Sequence, residues 1–96
     1  VKLASEAKTS QPIEKLKQKL EQNPKDFKIK FELAGSLMAS GDSSKAIDEL
    51  LDIIKSDKNW NGGAAKKKLL EIFEALGSDD PLTKDGRMRL STLIFN

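Results

Sequence analysis

FKIKFELAGSLMASGDSSKAIDELLDIIKSDKNW, residues 27–60, decides the fold. Its first half carries two apolar stripes at helical spacing. Phe27, Phe31, Ala34 and Met38 form one, and Ile29, Leu33 and Leu37 form the other. At 3.6 residues per turn the two stripes cover about 200° of a helix over Asp26 to Ala39. A single neighbouring helix cannot bury so wide an arc, so this helix is expected between two others. Gly41 stops it, as a left-handed residue beyond a helix C-terminus does. Ser43 or Ser44 is expected to cap the next helix, which runs to about Ser56. The faces of that helix separate cleanly. Ala46, Ile47, Leu50, Leu51, Ile53 and Ile54 lie on one side, with Lys45, Asp48, Glu49, Asp52 and Lys55 on the other.

The same period extends outward in both directions. Upstream, Pro12 suits a first helical position. Ile13, Leu16 and Leu20 mark one narrow stripe, and Asn23-Pro24 ends the segment because a residue before proline avoids the helical region. Downstream, a helix from about Gly63 to Leu76 points Ala65, Leu69, Ile72, Phe73 and Leu76 inward and stops at Gly77. Asp80 is the expected cap of a last helix opened by Pro81, with Leu82, Gly86, Leu90, Leu93 and Ile94 on its buried side. Short connections force neighbouring helices to run antiparallel. The expected fold is all-α: about five antiparallel helices stacked as hairpins, with residues 1–11 a linker and 12–96 the helical domain.

Composition narrows the function. A chain of 96 residues holds one small domain, and its core is thin. Cysteine and histidine are both absent. That removes disulfides, thiol nucleophiles, the commonest metal ligand and the usual general base. No glycine-rich phosphate loop is present; Gly62-Gly63 is a lone pair at a helix start. Catalytic, cofactor and metal residues are therefore expected to be none. The net charge is +2 with both signs spread along the chain, and only two arginines and no tyrosine occur, which argues against nucleic acid as a partner. No apolar run approaches the roughly 18 residues of a membrane span, and no signal peptide is visible, so a cytoplasmic location is expected. The chain opens on Val1 rather than methionine, which suggests a piece of a longer protein.

One repeat period fits. The tetratricopeptide unit spans about 34 residues, with the pattern W-x2-L-G-x2-Y, then A-x3-F, then P. Leu33-Ala34 take its L-G positions, Leu37 its tyrosine, Ala46 its alanine and Leu50 its phenylalanine, with Gly41-Asp42 at the turn. Small residues at 34 and 46 let paired helices approach, and large ones beside them fill the groove. Lys30 replaces the tryptophan and Lys58 the proline, while Pro24 stands one period before Lys58. Residues 27–60 thus form one unit flanked by half-units, and the flanks are needed because one unit cannot bury its own faces.

The last third carries a more specific likeness. DKNWN at 57–61, AAKKKLLEIFEALGSDDPL at 64–82 and RMRLSTLIF at 87–95 resemble the C-terminal region of bacterial thioredoxin-like proteins, in which a thioredoxin domain is followed by tetratricopeptide-type helices. The resemblance covers about Pro12 to Phe95. It implies a chaperone-type module that holds unfolding protein clients, cooperates with chaperonin partners and follows an N-terminal thioredoxin-like domain. No cysteine-pair chemistry carries over to these residues.

Phe31, Gly35 and Met38 fall near positions that line the concave face of tetratricopeptide folds. They form a candidate protein-binding groove, with Met38 adaptable in shape; the competing reading is plain packing against the first helix or the last. Lys66-Lys67-Lys68 reads as a solvated face with Lys67 paired to Glu71, or as an anionic contact. Arg87 and Arg89 read as pairing with Asp79, Asp80 or Asp85, or as a clamp for a carboxylate; Trp60 reads as a packing anchor, or as a ligand platform; Asp79-Asp80 is expected to cap a helix. Function reads as a non-catalytic protein–protein interaction domain. A structural or oligomerisation domain, and a small nucleic-acid-binding domain, stand as alternatives.

Overall fold

Three aspartates set where the helices begin. Asp26 Oδ1 accepts the Ile29 amide at 3.2 Å, Asp42 Oδ1 that of Lys45 at 3.2 Å, and Asp80 Oδ1 that of Leu82 at 2.8 Å. Each satisfies an amide that the first turn of a helix leaves unpaired. In the computed structural model, which describes residues 13–95, the helices are α1 (Ile13–Gln22), α2 (Phe27–Ala39), α3 (Ser43–Ser56), α4 (Ala64–Leu76) and α5 (Pro81–Phe95). A 3-10 turn, Trp60–Gly63, leads into α4. No strand occurs among the described residues. The expected opening of α1 at Pro12 and the expected linker 1–11 lie outside them.

The cap of α3 is Asp42, one residue before the expected serines. Gly41 explains the shift. At φ +91° it turns the chain left-handed. Its amide donates to Met38 O at 3.0 Å, and the Asp42 amide donates to Leu37 O at 2.8 Å. This paired C-terminal motif closes α2 on Asp42, which then serves α3 directly and leaves Ser43 already helical.

α3 is the centre of the stack. It packs against α2, α4 and α5, while α1 covers the far side of α2. The six apolar residues on its inner face are all buried. α2 is sandwiched as its wide apolar arc requires: Leu33, Ala34 and Leu37 are buried, and Phe27, Ile29, Phe31 and Met38 lie half-buried against the core. α1 and α3 bury the middle of that arc and leave Phe31 and Met38 at its partly exposed edge. Leu16 ties α1 down from a fully buried position.

α5 comes closest at Gly86. A Cβ there would sit 2.6 Å from Phe73 Cε1 and 2.7 Å from Cζ, so the missing side chain makes room for the ring. Thr83, one turn before Gly86, is fully buried with no partner for its hydroxyl among the described residues. Apolar periodicity gave no sign of it.

Lys30, at the tryptophan position of the repeat pattern, is also mostly enclosed, with 14% of its side chain exposed. Its ammonium is paired with Asp52 on α3. The long apolar stem fills the gap between helices, and the charge is met at its end.

Candidate protein-binding groove

One face of α2 carries Lys28, Phe31, Glu32, Gly35 and Met38 at spacings of three and four, so they line up along the helix. Phe31, Glu32 and Met38 are half-buried, and Gly35 and Lys28 are exposed. A Cβ added at Gly35 would meet nothing within 4 Å. That face is open at its middle.

The turn before α4 supplies the other wall. Asn61 (φ 50°, ψ 45°), Gly62 and Gly63 are all left-handed. Two adjacent glycines tolerate this readily, and Asn is among the side chains that do. Trp60, just before this turn, lies against α2. Its ring lies 5.5 Å from that of Phe31, tilted by 51°, and 6.2 Å edge-on from Phe27. Both spacings suit aromatic pairs. Beside the Phe31–Trp60 pair opens a depression of about 650 Å³ lined by Lys28, Phe31, Glu32, Trp60 and Asn61. α2 and α4 do not pair closely along their lengths, so no helix of the described chain fills it.

Of the three expected groove residues, the structure brings Phe31 into this depression. Gly35 and Met38 follow on the same face beyond it, and Met38 also packs against the core. Trp60 combines both of its readings, since it packs on Phe27 and Phe31 and still lines the depression. Lys28, Glu32 and Asn61 were not singled out from the sequence. The first two could have been found from their one-turn spacing around Phe31; Asn61 depends on the left-handed turn.

A second groove of about 360 Å³ lies between α3 and α5, floored by Leu51 and Leu93. Its charges are largely matched. Arg89 donates to Asp48 at 2.9 Å and lies 3.6 Å from Asp85, and Asp52 is held by Lys30. Arg89 therefore takes one of its expected partners, Asp85, and adds Asp48, brought near by the packing of α5 on α3. Arg87 is exposed. Lys68, rather than Lys67, pairs with Glu71, at 3.5 Å. Asp80 caps α5, as Asp79-Asp80 was expected to do. Among the described residues no helix is long and apolar enough to cross a membrane.

Helical hairpins stacked on a central helix, with one helix face left open, define the class of short-repeat helical scaffolds. The tetratricopeptide repeat family matches residues 6–95, and the chain belongs to that family. An uncharacterized protein of Haemophilus influenzae (strain ATCC 51907 / DSM 11121 / KW20 / Rd) is 30% identical over 95 residues, which are 99% of this chain and 43% of that protein. The chain thus spans less than half the length of this relative. As a class, tetratricopeptide repeats mediate protein–protein contacts through the surfaces that their stacking creates.

Proposed function

We propose that this chain is a non-catalytic protein-docking module. Its binding surface runs along α2 from the Phe31–Trp60 depression over Gly35 to Met38. The occupant is an extended segment of an unfolding client. In this reading residues 12–96 form the docking domain and residues 1–11 the linker that joins it to a thioredoxin-like domain in a longer cytoplasmic chaperone, in line with the resemblance of residues 57–95. The greater length of the Haemophilus protein leaves room for such a further domain.

The observation that carries this reading is the half-exposed aromatic pair on a helix face that continues into an exposed glycine. Large aromatic surface beside a stretch of helix that carries no side chain lets a flexible polypeptide approach closely and gain contact area.

Trp60 is the sole tryptophan, so its emission reports on the groove directly. Titration with reduced, carboxymethylated ribonuclease A, a permanently unfolded polypeptide without tryptophan, is expected to shift that emission and saturate. Gly35→Leu places a side chain in the groove's open middle and is expected to weaken binding about fivefold or more, the scale of one lost interface contact, with helical circular dichroism retained. Unchanged binding by a fully helical Gly35→Leu protein contradicts the reading.

A further inference from the structure

The depression at the head of the groove has a charge character that its aromatic rings alone do not explain. Glu32 is half-buried on its wall. Among the described residues it forms no ion pair: the carboxylates that do are Asp42, Asp48, Asp52, Glu71 and Asp85. A partly enclosed carboxylate without a partner favours a cation brought to it. The faces of Phe31 and Trp60 favour the same thing, because an aromatic ring presents its negative quadrupole to a cation above it. The two rings are tilted 51° to one another with centroids 5.5 Å apart, and both line the depression.

We propose that this depression selects a basic side chain from the docked client segment, arginine in particular, with its guanidinium against Trp60 and Phe31 and its charge met by Glu32. Arginine fits better than lysine because its planar, weakly hydrated head stacks on aromatic rings and forks onto a carboxylate. Lys28, one turn before Glu32 and exposed at the rim of the depression, opposes the cation through solvent and sets a ceiling on the preference. The proposal rests on the docking reading above and adds the chemistry of its first subsite.

The 96-residue chain is titrated with three capped tripeptides, acetyl-Ala-Arg-Ala-amide, acetyl-Ala-Gln-Ala-amide and acetyl-Ala-Glu-Ala-amide, with Trp60 emission as the readout. The arginine peptide is expected to bind on the order of millimolar, as a contact of this size does. Its preference over the glutamine peptide is expected to be about fivefold and to fall with added salt. Glu32→Gln is expected to erase that preference and Lys28→Gln to increase it about twofold. A merely structural role for these side chains would give neither opposite shift. Equal binding of the arginine and glutamine peptides, a preference that survives Glu32→Gln, or no arginine binding overturns the proposal. Saturable binding of unfolded, tryptophan-free carboxymethylated ribonuclease A to the same protein shows that the groove itself still docks polypeptide, so failure of the subsite and failure of the groove are told apart.

Discussion

Two glycines lie inside helices, and they carry opposite meanings. Gly35 faces open space, whereas Gly86 holds α5 against the Phe73 ring. Glycine costs a helix interior about 0.5–1 kcal/mol relative to alanine. Gly35→Ala is therefore expected to stabilise the protein by that amount. Gly86→Ala gains the same backbone term but forces its Cβ into a ring that is 1% exposed, and overpacking of this kind costs about 1–3 kcal/mol. The net expectation is a loss of about 1–2 kcal/mol. Urea unfolding of the two variants checks both signs, and a stabilised Gly86→Ala protein would mean that α5 does not approach Phe73 so closely. The sequence placed Gly86 on the buried side of its helix, because periodicity reports facing. It did not distinguish the two glycines, because clearance depends on a ring from another helix. Thr83 was missed for a related reason: a threonine on an apolar stripe looks polar until its neighbours enclose it.

At the scale of elements, α3 was almost fully legible. Its apolar and charged residues separate at helical period, and all six expected inner residues are buried. What periodicity left out are contacts across elements, such as Lys30 with Asp52 and Arg89 with Asp48. These join residues distant in sequence and depend on how the helices cross. Glu49 shows the consequence for stability. Burial pushes its carboxyl above the ordinary glutamate range; Lys30 on α2 pulls it back, Asp48 raises it, and Lys17 on α1 lowers it. The folded protein thus holds this proton to higher pH than the unfolded chain does. Ionised Glu49 costs stability at neutral pH. That cost disappears as the pH falls through the carboxylate range, below about 4, where both states are protonated. Glu49→Gln is expected to raise Tm at pH 7, with the difference closing in acid. Thermal melts across that range check it, and a lower Tm for Glu49→Gln at pH 7 would show that its lysine neighbours outweigh its burial.

For the whole molecule, the succession of helices and their hairpin stacking followed from three spacings: the apolar period, the short connections and the repeat of Leu33, Ala34, Ala46 and Leu50. The open face of α2 was only partly readable. Phe31, Gly35 and Met38 lie along it, but Trp60 meets it just before three consecutive left-handed residues, a turn that composition hints at through Asn61-Gly62-Gly63 without giving its direction. A second exposed apolar surface exists on α5, where Met88 and Phe95 are 63% and 84% exposed. The central claim is that polypeptide docks on α2 and not there. Backbone amide chemical-shift mapping by NMR during addition of carboxymethylated α-lactalbumin tests it most directly. Docking on α2 gives perturbations concentrated at residues 28–38 and 60–63. Perturbations confined to 88–95, or none in a protein whose tumbling shows self-association through α5, would contradict it.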